Sequence, residues 1–186
     1  MIAREVLALK RLNQLHHIEL TCLPAMWHFH PDRIPAGLDE AIERARRDGV
    51  DDILIGYADC GTGGALDEIC ARHGVRRIEG PHCFAFYQGV ENAAELAEYD
   101  MTSFFVTDFL ARQPDAFLYE PLGLDRHPEL TEMYFGSYER VVYLAQTNDP
   151  ELQRSSEAIA ARLSLPLERR FTGYGDLERE IASISR

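Results

Sequence analysis

The chain alternates two kinds of apolar segment, and this alternation predicts the order of its secondary structure. Segments with apolar residues three or four positions apart predict amphipathic helices. Short continuous apolar runs bounded by turn residues, such as 51–57, predict buried parallel strands. The predicted strands cover residues 16–22, 51–57, 75–80, 102–106, 140–147 and 167–172. The predicted helices cover residues 2–14, 36–47, 66–74, 84–99, 129–136, 149–164 and 175–185, with another beginning near residue 107 and a loop over 25–35.

This order of elements predicts an α/β fold. Strands that alternate with helices of 10–15 residues are typical of a mainly parallel sheet with helices on both faces, in a Rossmann-like, three-layer arrangement. We expect a single α/β domain over residues 1–186. The strand, turn and helix pattern of residues 52–95 is echoed weakly in residues 140–184, so two similar halves are a further interpretation.

The charge and hydropathy of the chain exclude several classes of protein. A net charge of −12 argues against a nucleic-acid-binding surface and against an anionic membrane surface. The sequence contains no apolar run of 18 residues, and the charged N-terminal segment does not look like a signal peptide. We therefore expect a cytoplasmic protein, in which the four cysteines are thiols or metal ligands rather than disulfides.

Thiols and imidazoles follow three of the predicted strands. In parallel α/β sheets the loops at the carboxyl ends of the strands converge on ligands. The residues at these ends are Cys22, His28 and His30 after the first strand, Asp59 and Cys60 after the second, and His82 and Cys83 after the third. The fourth cysteine, Cys70, lies within a predicted helix and is expected to be buried as a small apolar residue.

This set predicts a metal site, with zinc as the expected ion, because thiolates and imidazoles are its usual ligands. The minimal ligand set is Cys60, Cys83 and either His28 or His82, with Cys22 in reserve. Two other interpretations remain open. These residues could be ordinary loop and core residues. Alternatively, Cys60 could be a metal-free nucleophile at a helix N-terminus, with His82 or His28 as its base.

The glycine-rich segment 59–64 lies between a predicted strand and a predicted helix. Backbone N–H groups of Gly61, Thr62 and Gly63 could bind an anionic cofactor or substrate, although we favour a tight turn that needs glycine as the explanation of the pattern. Asp59 and Asp108 are the candidate catalytic carboxylates, each expected to orient a ligand or a histidine.

Several long segments resemble one family. They are TCLPAMWHFHPDRIP, YADCGTGGALD, GPHCFAFYQG, FFVTDFLAR, LGLDRHPELTEMYFGSYERVVYLAQTNDP and RRFTGYGDLE. In this order and over nearly the whole chain, they are similar to the DUF1638 family of uncharacterised bacterial and archaeal proteins. The resemblance carries no established activity, but members of the family often lie near genes for corrinoid-dependent methyl transfer. The positions that match the family pattern are His28, Tyr57, Cys60, Gly61, His82 and Cys83.

The start of the chain departs from the family pattern. Members usually begin with a further strand that ends in a Cys-Gly-Ala-Leu-Ala-type turn. This chain opens at MIAREVLAL, which resembles the tail of that turn. We therefore expect the strand and its cysteine to be missing, which would leave a bare strand edge for a partner to cover.

These observations lead to three functional hypotheses. The first is a zinc-binding protein with a Cys/His site that acts in thiol or methyl transfer linked to corrinoid one-carbon metabolism. The second is a non-enzymatic accessory protein that handles a corrinoid or assists a methyltransferase. The third is a metal-free cysteine enzyme. The expected partners are a small-molecule substrate or a corrinoid protein. A homo-oligomer of this chain is a further hypothesis.

Overall fold

A computed structural model of the chain describes residues 2–89 and 101–184. The chain divides into two compact units. The first unit comprises Met1–Phe86 with Tyr174–Arg186, and the second comprises Tyr87–Gly173. The fold is α/β, as predicted, and the paired strands are parallel. In the described residues these strands form two sheets, one of two strands and one of three, where the sequence predicted a single sheet. The prediction of a single domain stays a prediction.

The first unit is mainly helical around a short parallel pair of strands. Its elements are α1 (Ala3–Leu12), two 3₁₀ helices (Ala25–Phe29 and Pro31–Arg33), α2 (Ile34–Arg47), β1 (Leu54–Ile55), α3 (Ala65–His73), β2 (Arg76–Arg77) and α8 (Asp176–Ala182). A further helix, α4 (Ala85–Gln88), begins at its end.

The core of the first unit fixes β1 between helices. Helix α2 buries Ile34, Leu38 and Ile42, which are four residues apart and therefore share one helix face. This face packs with Ile55 of β1 and with Leu66 of α3 in one apolar cluster. The cluster anchors both ends of the loop that joins β1 to α3, and that loop carries Cys60.

Helix α3 ends as the sequence predicts. Gly74 follows its last residue with a φ of 62°, a left-handed conformation that glycine adopts without steric cost. The N–H of Val75 then donates to the carbonyl of Cys70 at 3.0 Å. This tight end returns the chain at once into β2, which pairs with β1 in the register Leu54↔Arg76 and Ile55↔Arg77.

The second unit contains the longer sheet. Its elements are β3 (Ser103–Thr107), α5 (Asp108–Arg112), a π-helical turn (Asp115–Tyr119), α6 (Leu130–Phe135), β4 (Arg140–Ala145), α7 (Pro150–Arg162) and β5 (Leu167–Phe171). The strand order is β3-β4-β5, and β4 is buried on both faces from Val141 to Ala145. Asp149 caps α7 through its side chain, which accepts from the N–H of Glu151 at 2.8 Å and confirms the predicted N-cap.

The predicted first strand, residues 16–22, is wrong: the structure assigns no strand there. Only Ile18 of that segment is buried, so its apolar residues do not form the continuous buried face that a strand needs. The predicted loop over 25–35 contains the two 3₁₀ helices, and α2 begins earlier than expected, because Pro35 is well tolerated in the first turn of a helix. The predicted helix over 84–99 is seen only as α4, and its residues 90–99 lie outside the described part of the chain.

The weak internal echo corresponds to a shared local arrangement. In the first unit β1, α3 and β2 form a strand, helix and parallel strand, and in the second unit β4, α7 and β5 do the same. Within the described residues, none of the helices has the length and apolar character required to cross a membrane.

Candidate functional site

The loops that follow β1 and β2 run side by side and bring two predicted ligands together. The N–H of Asp59 donates to the carbonyl of Gly80 at 3.0 Å, and the N–H of Cys60 donates to the carbonyl of Pro81 at 3.0 Å. These bonds continue the parallel pairing of β1 with β2 past the ends of the strands. As a result, the Sγ atoms of Cys60 and Cys83 lie 3.2 Å apart.

The backbone of Cys60 is held in an unusual conformation. Its φ is 49°, in the left-handed region that residues with a side chain rarely adopt. Gly61, which follows, has a φ of 83° and tolerates it freely. A conformation of this kind costs free energy and is often found at functional sites, where the surrounding structure enforces it. Here the buried Ala58 on one side and the bond to Pro81 on the other hold the turn.

The two thiols titrate as a pair. A hydrogen bond between the sulfurs lowers the pKa of Cys83, because the Cys60 thiol donates to the Cys83 thiolate. The same bond, together with burial, raises the pKa of Cys60, since its ionisation would place a second negative charge beside the first. Hydrogen bonds from the backbone of Ala58 and of Cys83 favour the charged form. The pair therefore carries a single negative charge more readily than an isolated cysteine.

Tyr57 lies close to the thiols. Burial raises its pKa to about 12, and the negative charges of Cys83, Cys60 and Cys22 contribute to the shift. The phenol therefore stays protonated at neutral pH and remains a hydrogen-bond donor. The same interactions place Cys22, which is exposed, within electrostatic range of Tyr57.

The two histidines of the predicted ligand set lie near each other. Partial burial of its ring lowers the pKa of His28, and the positive charge of His82 adds to the effect, although His28 as a whole stays exposed. His28 is therefore neutral at pH 7, the form that binds metals. The ring of His82 stacks on Phe84 with a centroid separation of 5.1 Å. His30, which follows the same predicted strand but is not in the predicted ligand set, is exposed.

The structure does not bring all the predicted metal ligands close to one another. Among the described residues, no three side chains of His, Cys, Asp or Glu lie close enough to share a metal ion. Among the described residues the structure therefore forms the Cys60–Cys83 pair, while His28, His82 and Cys22 belong to the same unit but complete no three-ligand group with it.

The glycine-rich loop already holds a carboxylate of its own. Asp59 accepts from the N–H of Gly64 at 2.8 Å, from the hydroxyl of Thr62 at 3.0 Å and from the N–H of Gly63 at 3.3 Å. These donors, with Gly64 foremost and Gly61 also contributing, lower the pKa of Asp59. The donors that the sequence assigns to a cofactor thus have an acceptor within the chain. The cofactor-binding role of Gly61, Thr62 and Gly63 and the catalytic role of Asp59 stay predictions.

Asp108 lies in the second unit, where it joins the ends of two strands. It directly follows β3 and is 1% exposed. Its carboxylate accepts from the hydroxyl of Tyr143 at 2.7 Å, from the hydroxyl of Thr147 at 2.6 Å and from the N–H of Gln146 at 3.1 Å. Its own N–H donates to Oε1 of Gln146 at 2.8 Å. These bonds indicate a structural role, and the catalytic role of Asp108 stays a prediction.

The comparison with protein families adds one finding to this geometry. A family model described as "Protein of unknown function (DUF1638)" matches residues 22–181. The chain belongs to the DUF1638 family. This confirms the resemblance that the sequence motifs indicate, and the matched span of the DUF1638 model includes all the predicted ligands. Comparisons with curated proteins and with solved structures found no match.

Sequence reasoning missed two features of the site. The first is the backbone pairing of residues 59 and 60 with residues 80 and 81, which sets the distance between the sulfurs. The second is that Asp59 occupies its own loop. A signal for the second was present, because an aspartate that precedes a run of glycines often accepts hydrogen bonds from the backbone of the turn that follows it.

Proposed function

We propose that this protein binds a zinc ion through Cys60 and Cys83 and uses it in thiol or methyl transfer. The observation that supports the proposal is the 3.2 Å separation of the two sulfurs. Zinc–sulfur bonds of about 2.3 Å in tetrahedral geometry place two thiolates about 3.8 Å apart. The sulfurs would therefore need to separate by only about 0.6 Å to share an ion, which side-chain rotation can provide.

We propose His28 as the third ligand, with His82 and Cys22 in reserve. His28 comes first because its ring is neutral at pH 7, the form that binds metals, and the 3₁₀ helix Ala25–Phe29 that carries it would have to move to complete the site. A site with three protein ligands keeps one position open for a substrate, whereas four ligands close it. We propose the open arrangement, because it allows chemistry.

A zinc ion at this site would keep the sulfur of a substrate thiol deprotonated at neutral pH, and a thiolate is a good methyl acceptor. The residues of the chain would bind and orient the reactants. Cys60 and Cys83 would hold the ion, and the protonated hydroxyl of Tyr57 could donate a hydrogen bond to a substrate. Asp59, in the same unit as the thiols, is proposed to orient a ligand. The proposed setting is the reducing cytoplasm, where the thiols stay available.

Metal analysis of the purified full chain, prepared with its thiols reduced, tests the zinc site. We expect about one equivalent of zinc in the native protein and a large loss of metal in Cys60→Ser and in Cys83→Ser. Cys70→Ala is the matched control: Cys70 is buried in α3, so this variant should keep its metal. Less than about a tenth of an equivalent of any transition metal in the native protein would refute the proposal.

Trp27 provides a second measurement. It is the one tryptophan of the chain and directly precedes His28. If His28 binds the ion, adding zinc to chelator-treated protein should change the intrinsic fluorescence of Trp27, and His28→Ala should abolish that change. A fluorescence response that persists in His28→Ala would remove His28 from the ligand set. His82 would then be the next candidate for the third ligand, and metal analysis of His82→Ala would test it.

The lowered pKa of Cys83 favours a second function, a metal-free thiol enzyme. The sequence names Cys60 as the nucleophile, whereas the directions of the two pKa shifts favour Cys83 as the thiolate. Alkylation at pH 7 of chelator-treated protein separates the two residues. Rapid labelling that is lost in Cys83→Ser and kept in Cys60→Ser supports Cys83, and the reverse result supports Cys60.

The link to corrinoids rests on the resemblance to the family alone, and we retain it as a proposal about the partner. It covers both a corrinoid-dependent reaction and a non-enzymatic accessory role. The visible spectrum of cobalamin should change when the protein is added, if the protein handles a corrinoid. A spectrum equal to the sum of the two separate spectra counts against both roles.

A further inference from the structure

The contact between Cys60 and Cys83 allows a reaction that needs no metal. We propose that these two cysteines form a reversible disulfide, and that this bond controls whether the site can hold its metal ion. The first part stands on the geometry of the thiols alone. The second part, control of metal binding, rests on the proposed zinc site.

The geometry requires little movement. The sulfurs lie 3.2 Å apart as free thiols, and a disulfide bond brings two sulfurs to about 2.05 Å. The difference of about 1.1 Å is within the reach of side-chain rotation. The N–H of Cys60 bonds to the carbonyl of Pro81, so the two loops are already held next to each other.

Access also favours this pair. Cys60 and Cys83 are partly exposed as residues, and the thiol of Cys60 is the less deeply buried of the two, so Cys60 is the thiol that a disulfide in solution meets first. Cys70 is buried in α3 and Cys22 is exposed, which makes them useful internal comparisons for reactivity. The sulfurs of Cys60 and Cys83 are in contact. When one of these cysteines has formed a mixed disulfide, the other is therefore the nearby thiol that can attack it.

The reaction is a thiol–disulfide exchange with a small-molecule disulfide such as oxidised glutathione. One cysteine of the pair attacks a sulfur of the small disulfide, and a mixed disulfide forms as one glutathione thiolate leaves and takes up a proton. The second cysteine then attacks the sulfur of the first and expels the second glutathione, which takes the remaining thiol proton. Two protein thiols are oxidised to one disulfide, and one small disulfide is reduced to two thiols.

The disulfide would change what the site can bind. Metal ligation by cysteine requires the thiolate, and neither sulfur of a disulfide carries that charge. The oxidised protein should therefore release zinc, and reduction should restore the ability to bind it. The site would then be active only under reducing conditions.

The test is performed on chelator-treated full chain, so that the disulfide is measured independently of the metal. The protein is incubated with oxidised glutathione, the remaining thiols are alkylated, and the peptides are mapped by mass spectrometry. We expect the intact mass measured before alkylation to fall by two hydrogens, the peptide map to show a cross-linked peptide that joins Cys60 to Cys83, and dithiothreitol to reverse both changes. Cys70→Ala should behave as the native chain does. Cys60→Ser and Cys83→Ser should instead retain glutathione on the remaining cysteine of the pair.

A native chain that accumulates glutathione adducts without this cross-link, or that joins Cys22 to either cysteine, would overturn the inference. A second arm loads reduced and oxidised protein with zinc. Binding by the reduced form alone supports control of the site, and equal binding by both forms overturns that control. If neither form binds zinc but the cross-link forms, the proposed zinc site fails and the disulfide stands.

Discussion

The buried carboxylate of Asp108 allows a quantitative prediction about the second unit. Asp108→Ala removes the acceptor for three donors: the hydroxyls of Tyr143 and Thr147 and the N–H of Gln146. Two of these bonds are buried, and that of Thr147 is partly buried. Leaving a buried donor without an acceptor costs about 1–3 kcal/mol. Counting the two buried donors at about 2 kcal/mol each, and allowing Thr147 to find water, gives a loss of about 4 kcal/mol.

A loss of that size is a large fraction of the 5–15 kcal/mol by which a typical domain is stable. The measurement is the free energy of unfolding from urea titrations followed by circular dichroism. Tyr143→Phe is the matched partial change, because it removes one donor and keeps the ring; we expect a loss of about 1 kcal/mol. Asp125→Ala is the surface control: Asp125 is exposed and pairs with Arg126 at 3.6 Å on the surface, so the change should fall within about 0.5 kcal/mol.

The result that would refute this reasoning is an Asp108→Ala variant that loses less than about 1 kcal/mol. It would mean that the three donors find other acceptors and that the structural role inferred for Asp108 is wrong. A near-additive double-mutant cycle between Asp108→Ala and Tyr143→Phe would also contradict it, since residues that share a buried hydrogen bond should not behave independently.

Two further predictions concern the first unit. The folded-state pKa of Asp59 is lowered from 3.8, so the stability that Asp59 contributes is fully present above that value and is lost as the pH falls through the lowered pKa. Asp59→Asn should therefore unfold at lower denaturant concentration than the native chain at pH 7, and the gap should close in acid; a gap that widens in acid contradicts the bonding described. Gly37→Ala should displace Trp27, whose ring carbons lie where the new Cβ would be, and should shift the tryptophan emission. Glu43→Ala, at an exposed position of the same helix, should leave the emission unchanged. An unchanged emission in Gly37→Ala would show that the ring does not pack on α2.

The sequence predicts the elements whose ends carry explicit signals. Helix α7 begins after its capping Asp149, α3 ends at Gly74, and the apolar run of β4 is buried throughout. The segment 16–22 shows the limit of this approach. An alternating pattern indicates that a strand could form, but a strand requires a neighbour for its backbone and a buried face, and both depend on the rest of the fold. The pattern alone cannot supply them.

The candidate site likewise has features that the sequence predicts and features that it does not. The rule that loops at strand ends converge points to Cys60 and Cys83, and the structure brings their sulfurs into contact. The rule cannot tell how far the other ligands stand from the pair, because Cys22 and His28 lie on a segment without a strand, whose position depends on packing such as that of Trp27 on Gly37. Nor can it tell that the donors of the glycine loop are taken by Asp59, since this depends on the turn geometry.

At Cys60 the left-handed backbone lowers the stability of the fold, whereas the side chain supplies a thiol to the candidate site. Glycine or asparagine would adopt a φ of 49° at lower cost than cysteine does. Selection for thermal stability alone would therefore tend to replace this residue and remove the sulfur, whereas selection for the thiol would keep it. The free energy gained by Cys60→Gly thus gives a measure of what the native chain gives up in order to hold a sulfur at this turn.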